Sequence, residues 1–308
     1  MHSERVFSMP VAVAIEPTNR CNLSCPLCAK GSGLVTRDEG SMSIDDFIAI
    51  VDMLPQSVIE MYLWGQGEPF LAPDLLRMVT YASEHRIKTI VSTNGHFLDN
   101  SDAVIQSGLH TLIISLDGVN QEDYQSYRVG GDFNRVINGI QGVTEQKKKM
   151  GYGPYIEVQS LVTKSTVSSM NAFSLWGRKL GVDRIVFKTI QAASMKDGHE
   201  FLPEVEYHTR YRKTADGTYE PDCYPLRAKR CFRLYYSCQI DWMGNVIPCC
   251  FDKNSNYIMG NVFKEPLTNI WNSRKYRTLR AMVNRKGRVL SMCRDCTEGL
   301  KRKTLHAN

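Results

Sequence analysis

The sequence predicts an α/β chain: a run of strand–helix units followed by a small Cys-rich α+β region. Three observations predict it. Over the first ~190 residues, six short apolar runs alternate with helix-like patterns, as in a parallel sheet with crossover helices. The ten cysteines are unevenly placed, with three within 21–28, none from 29 to 222 and seven in the last 86 residues. Charge is uneven too: residues 1–200 carry 18 Lys/Arg against 22 Asp/Glu, and residues 201–308 carry 20 against 10. Composition therefore divides the chain into residues 1–195, a linker or loop-rich crossing over 196–222, and a Cys-rich part over 223–308.

Taken in order, strands are expected at Val11–Glu16, Ile59–Trp64, Thr89–Ser92, Thr111–Leu116, Tyr155–Val162 and Arg184–Lys188. Helices are expected near 43–54, 72–85, 99–107, 133–149 and 166–180. Ser43 and Asp46 make a capping box for the first, and Asp74 and Asp99 stand where N-caps are wanted. Six units are too few to close an eight-stranded barrel, so an open doubly wound sheet or a partial barrel satisfies the pattern. Farther on, a hairpin is expected around Met243-Gly244-Asn245. An amphipathic helix, Leu267–Val283, follows. Its apolar face carries Ile270, Trp271, Leu279 and Val283, and its other face Arg274, Lys275, Arg277 and Arg280.

With 43% apolar and 23% charged residues, the composition is that of a folded globular chain and excludes disorder. No stretch approaches the ~18 apolar residues of a membrane span. The start, MHSERVFSMPVAVAIEP, lacks a signal-peptide core and a cleavage site, so a cytoplasmic protein is expected. No basic stretch is interleaved with stacking aromatics, and nucleic acid is not an expected partner. In a reducing compartment, clustered cysteines are expected to bind metal rather than to pair as disulfides.

Cys21-Asn-Leu-Ser-Cys25-Pro-Leu-Cys28 has the spacing C-x3-C-x2-C and follows the first strand directly. Three thiolates hold three irons of a cubane cluster and leave the fourth iron open. By analogy with zinc, an open position marks a catalytic site. Structural zinc wants four closed ligands, and the nearest histidines in sequence are His2 upstream and the distant His85 downstream.

This loop resembles the signature of the radical S-adenosylmethionine (radical SAM) superfamily. Other segments carry the resemblance further. Trp64-Gly65-Gln66-Gly67-Glu68-Pro69 is similar to that family's Gly-x-Gly-Glu-Pro loop. Ser92-Thr93-Asn94-Gly95 and Ser115-Leu116-Asp117-Gly118 end the third and fourth strands. Tyr127-Arg128, ahead of Gly130-Gly131, resembles the loop that brings an Arg to the SAM carboxylate. The resemblance covers residues 10–190 and implies a partial (β/α)6 barrel. It further implies that Cys21, Cys25 and Cys28 bind a 4Fe–4S cluster whose open iron holds SAM. Gly65, Gly67, Glu68, Pro69, Ser92, Asn94, Ser115, Asp117 and Arg128 are then the residues lining SAM. Reductive cleavage of SAM in this family gives a 5′-deoxyadenosyl radical that abstracts hydrogen from substrate.

Cys231, Gly244 and Cys249 are spaced C-x12-G-x4-C, and Cys293-Arg-Asp-Cys296 follows. This pattern resembles the SPASM/Twitch auxiliary-cluster domain. Only 12 residues follow Cys296 and none is Cys, so the shorter Twitch form with one auxiliary 4Fe–4S cluster is expected, held by Cys231, Cys249, Cys293 and Cys296. Cys223, Cys238 and Cys250 are left over. Cys238 is the rival to Cys231, and adjacent Cys249 and Cys250 would point to opposite sides of an extended chain. On ligand chemistry alone, the same four thiolates also suit a zinc ribbon.

All-Cys ligation closes the auxiliary cluster and suits it to accept electrons. The layout resembles the Twitch-type aminocyclitol dehydrogenase, 2-deoxy-scyllo-inosamine dehydrogenase. A radical SAM oxidoreductase that oxidises a small molecule is therefore the first expectation. Maturation of a ribosomally made peptide is the second, because only about ten residues precede the first strand and leave no room for a leader-binding domain. A non-catalytic iron–sulfur electron carrier is the third, and the three-Cys loop argues against it. Glu157, Gln159, Lys188, His96 and Tyr62 are candidate proton acceptors, with none preferred. A flavodoxin or ferredoxin-type reductant is the expected protein partner, with the basic face around Arg274–Arg288 as its docking surface.

Overall fold

A computed structural model of the protein describes residues 4–192, 198–204, 208–222, 231–287, 290–293, 296 and 304–306. Cys223, His2 and Arg288, named above, lie outside the described residues. The chain forms two compact units. One holds the described residues of 1–20, 35–90 and 224–299, and the other those of 21–34, 91–223 and 300–308.

In chain order the elements are β1 (Ala12–Ile15), α1 (Ile44–Asp52), β2 (Glu60–Leu63), α2 (Leu75–Glu84), β3 (Lys88–Thr93), α3 (Ser101–Gln106), β4 (Thr111–Ser115), α4 (Gln121–Tyr127), α5 (Phe133–Met150), β5 (Tyr155–Val162), α6 (Met170–Lys179) and β6 (Arg184–Thr189). They continue with β7 (Tyr211–Lys213), β8 (Tyr219–Pro221), β9 (Ser237–Ile240), β10 (Asn245–Ile247), β11 (Gly260–Asn261), α7 (Leu267–Trp271), α8 (Arg274–Lys286) and β12 (Thr304–His306). The repeat from β1 to β6 is that of a partial (β/α)6 barrel, and a Cys-rich region follows it.

In the first unit, β1 pairs in parallel with β2 and with β9, while β9, β10 and β11 pair antiparallel. Its core is apolar and closed to solvent: Val13, Ile15, Met61 and Leu63 on the strands, Phe47, Leu75 and Met78 on the helices, and Ile240, Ile270 and Trp271 beyond. The predicted hairpin forms between β9 and β10, and Gly244 turns it at φ 78°. Ser43 caps α1 by accepting the Asp46 N–H, as expected. Asp74 makes no cap hydrogen bond and pairs with Arg77 instead.

The expected helix Leu267–Val283 is two helices. Between them Asn272 turns its side chain to the Val6 backbone, and Ser273 caps α8 through the Tyr276 N–H. Side chains that compete for backbone groups break helices in this way. Arg280, expected on the polar face, has no exposed surface. It donates to the carbonyls of Leu234 and Trp271 and lies 4.4 Å and 4.2 Å from the Trp271 and Tyr276 ring centres. Aromatic faces and two carbonyls replace its water. Arg280 therefore leaves the basic face proposed for a reductant.

In the second unit, β4, β5 and β6 pair in parallel, and β12 joins β6 antiparallel. Asn100, not Asp99, caps α3, while Asp99 pairs with Arg135. The helix α4 was not expected. Asn120 caps it, and only Tyr124 and Tyr127 of its seven residues are buried. Residues read as a linker contain a short antiparallel hairpin, β7–β8. Leu202 and Tyr211 from this stretch pack with Leu23, Cys25, Leu27, Tyr127 and Ile190 in one apolar cluster. Among the described residues, no helix is long and apolar enough to cross a membrane.

Candidate active site and auxiliary cysteine region

The first cysteine loop belongs to the second unit. Cys25 is buried and Cys28 exposed. The loop turns tightly: the Cys28 N–H donates to the Cys25 carbonyl (3.2 Å) and the Ser32 N–H to the Cys28 carbonyl (2.9 Å). A side chain at Gly31 would place its Cβ 2.4 Å from the Cys25 carbonyl oxygen, so the loop closes on itself only with glycine there. Burial pushes the Cys25 thiol up to about 11, and the Arg128 guanidinium pulls the other way.

Arg128 and Asp117, both predicted SAM contacts, form a buried ion pair. Arg128 Nε donates to Asp117 Oδ2 at 2.6 Å, and Nη1 lies 3.8 Å from Cys25 Sγ. Asp117 Oδ1 also accepts the Leu161 N–H. One arm of the arginine fork is thus committed to protein. The Ser24 N–H donates to the Val129 carbonyl (3.0 Å), tying the cysteine loop to the Arg128 loop.

Asn94, at the end of β3, holds the cysteine loop through Asn22: its Nδ2 donates to Asn22 Oδ1 at 2.8 Å. Asn94 Oδ1 accepts the His96 N–H and faces His96 Nδ1 at 2.9 Å, while His96 Nε2 accepts the Asp132 N–H. The ring is therefore a neutral Nδ1–H tautomer, and burial holds its pKa below 6.5. His96 thus serves as a brace between loops. Ser92 and Ser115 are half-buried on β3 and β4.

The glycine loop belongs to the first unit. The Glu68 N–H donates to the Arg20 carbonyl (2.7 Å), one residue before Cys21. Cβ atoms at Gly65 and Gly67 would lie 2.3 Å from Glu16 Oε1 and 2.4 Å from the Arg20 carbonyl oxygen. Both glycines are thus required by close approach. Glu68 is buried and spends Oε1 on the Phe70 N–H, capping a short 3-10 turn that begins at Pro69. Sequence reasoning missed Glu16, which is fully buried. Its Oε1 accepts the Gln66 N–H (2.8 Å) and its Oε2 accepts Arg37 Nη1 (2.6 Å).

The second cysteine set lies in the first unit. None of the nine described cysteines forms a disulfide. Cys238 is buried on β9, with its thiol pushed up to about 12 by burial. Cys249 and Cys250 do not diverge as expected. The ladder ends at Ile247, Pro248 has no N–H to continue it, and the two thiols hydrogen-bond each other. That bond, with burial, holds the Cys249 thiol well above its ordinary value. The chain then folds around Asp252, which accepts the N–H groups of Asn256 and Tyr257. Tyr257 reaches Ser291 through its hydroxyl (3.0 Å), just before Cys293. The Cys296 N–H donates to the Cys293 carbonyl at 3.3 Å.

Among the candidate proton acceptors, Glu157 accepts from Gln159 Nε2 and lies 3.5 Å from Arg184. Burial lowers the Lys188 pKa. Burial and a hydrogen bond to Glu60 raise that of Tyr62. Among the described residues, no three Cys, His, Asp or Glu side chains stand together as ligands of a single metal ion. The fit to iron–sulfur clusters rests on donor chemistry: thiols alone, in two groups, with a cation against the buried Cys25.

Residues 15–153 match the Radical SAM superfamily, and residues 231–297 match the SPASM iron–sulfur cluster-binding domain. The chain carries a radical SAM domain followed by a SPASM domain. Its radical SAM domain implies a 4Fe–4S cluster and SAM, and its SPASM domain implies auxiliary iron–sulfur clusters. The mycofactocin maturase MftC of Mycobacterium tuberculosis is 26% identical over 297 residues, spanning 90% of this chain and 74% of that protein. The structure of SuiB from Streptococcus suis bound to S-adenosylmethionine aligns with TM-score 0.70 at 17% identity, over 95% of this chain and 73% of that one. BtrN in complex with AdoMet and 2-DOIA aligns with TM-score 0.57 at 17% identity, over 96% and 99%.

Proposed function

We propose that this radical SAM enzyme is a maturase that modifies a peptide. The observation that carries the reading is the relationship to the mycofactocin maturase along 90% of this chain. SuiB, whose fold this chain shares, has also been captured with its precursor peptide SuiA. The order expected from the sequence, small-molecule oxidation first and peptide maturation second, is therefore reversed.

In this reading Cys21, Cys25 and Cys28 would hold the front 4Fe–4S cluster, at which SAM would bind. When bound, cluster and SAM supply a 5′-deoxyadenosyl radical for hydrogen abstraction. The chain's own residues hold the parts in place. Arg128, braced by Asp117, presents its remaining N–H groups to the SAM carboxylate. Gly65, Gly67, Glu68 and Pro69 shape the loop that receives the SAM amino group. Asn94 fixes the cysteine loop, and Ser92 and Ser115 face the ribose. Cys231, Cys249, Cys293 and Cys296 hold one auxiliary cluster, and a flavodoxin or ferredoxin-type protein supplies electrons.

A second reading, small-molecule dehydrogenation, is favoured by the all-thiol auxiliary set, which suits an electron acceptor. One experiment separates the two. The anaerobically reconstituted chain is incubated with SAM, dithionite and either precursor peptides encoded beside its gene or aminocyclitols. Peptide-stimulated 5′-deoxyadenosine release with a mass change in the peptide supports maturation. Stimulation by the aminocyclitols alone overturns it.

A further inference from the structure

We propose that Glu16 and Arg37 form a latch coupling the SAM loop to the loop that carries Cys249, so that SAM affinity and the auxiliary-cluster potential both depend on Arg37. This rests on the reading above of Gly65–Pro69 as the SAM loop and Cys249 as a cluster ligand.

Glu16 follows β1 and has no exposed surface. Both carboxylate oxygens are occupied. Oε1 accepts the Gln66 N–H at 2.8 Å and Arg37 Nη2, and Oε2 accepts Arg37 Nη1 at 2.6 Å. The glycine loop lies flush on this carboxylate, since a Cβ at Gly65 would sit 2.3 Å from Oε1. The third guanidinium nitrogen serves a different loop: Arg37 Nε donates to the Lys253 carbonyl at 3.1 Å. The neighbouring Thr36 N–H donates to Asn254 Oδ1 at 2.8 Å. Lys253 and Asn254 follow Cys249 closely, in the loop folded on Asp252. Arg37 is near enough to Asp252 to oppose the rise that burial imposes on that carboxyl.

The division of labour in one side chain is the point. Two nitrogens grip the carboxylate under the SAM loop, and the third grips the auxiliary loop. A buried ion pair is a weak source of net stability, and its best-attested use is to fix register. Only a planar fork with donors on both edges can span the two partners; a lysine ammonium cannot. The latch lies within one compact unit, so it acts through direct contacts. Glu16 and Arg37 are positioning residues.

The test uses the anaerobically reconstituted full chain as wild type, Arg37→Gln, Arg37→Lys and Glu68→Gln. SAM affinity is read by equilibrium dialysis, and the auxiliary-cluster midpoint by redox-titrated electron paramagnetic resonance. Arg37→Gln is expected to weaken SAM about tenfold, the loss of one hydrogen bond to a charged group. It should also make the auxiliary midpoint more negative, because a nearby cation favours the reduced cluster. Arg37→Lys should keep the midpoint and still lose SAM affinity. Unchanged SAM affinity or an unchanged midpoint in Arg37→Gln overturns the latch. Should that variant not fold, Glu16→Gln/Arg37→Gln, which leaves no buried charge, is expected to weaken SAM likewise while shifting the midpoint less, because anion and cation leave together, and unchanged SAM affinity in it overturns the latch. If Glu68→Gln binds SAM as wild type does, the reading of the SAM loop fails. If Glu68→Gln weakens SAM and Arg37→Gln does not, the latch alone fails.

Discussion

Replacing Arg128 with Gln removes the countercharge of a carboxylate that has no contact with water. The Asp117 side chain is fully buried, that of Arg128 is 16% exposed, and the two meet at 2.6 Å. Breaking a buried pair from one side costs about 3–5 kcal/mol, because the remaining charge is left uncompensated. Asp117 keeps the Leu161 N–H, which puts this site at the lower end of the range. The guanidinium also lies 5.4 Å from the Tyr127 ring centre, a contact of about 0.5–1 kcal/mol. The unfolding free energy should therefore fall by about 3–4 kcal/mol. Equilibrium urea denaturation of the anaerobic protein, followed by circular dichroism, measures it. The Asp117→Asn/Arg128→Gln double variant should recover part of the loss, and the cycle isolates the pair. A loss below about 1 kcal/mol is what a solvated surface pair gives, and it would refute the reasoning.

The remaining predictions concern other supports. Burial holds His96 below its ordinary 6.5, so as pH falls from there the unfolded chain takes up the proton first. Stability present above pH 6.5 is lost as pH drops through the lowered folded value; urea midpoints across this range should show the slope, and His96→Gln should flatten it. Gly67→Ala drives a Cβ to 2.4 Å from the Arg20 carbonyl oxygen, a strain of about 1–3 kcal/mol. Its melting temperature and SAM affinity should both fall, and wild-type values would contradict the close approach. Arg280→Leu strips donors from the Leu234 and Trp271 carbonyls at about 1–3 kcal/mol each; thermal unfolding should come earlier, and a stabilised variant would show that water or repacking satisfies them.

The strand–helix repeat was legible because each strand is a compact apolar run. Tyr155–Val162 was located at both ends, since its burial alternates along the strand. The cysteine loop was legible from its spacing, whereas Asp117 and Arg128 were singled out only by the resemblance of their segments to the family's. What escaped was decided by partners distant in sequence. α4 is polar apart from two buried tyrosines, so its periodicity is faint. Arg280 reads as a surface charge, and only the folded chain reveals the aromatic rings and carbonyls around it. Glu16 and Arg37 are 21 residues apart, and Asn22 and Asn94 are 72 apart. No local pattern marks either pair.

Electron–nuclear double resonance on the reduced holoprotein is the most direct examination of the account. SAM is labelled with magnetic isotopes in its amino nitrogen and carboxylate oxygens. Direct bonding of SAM to the iron that Cys21, Cys25 and Cys28 leave open predicts hyperfine coupling from both labels. Absence of both couplings, with that corner held by a protein side chain or zinc in place of iron, would contradict it.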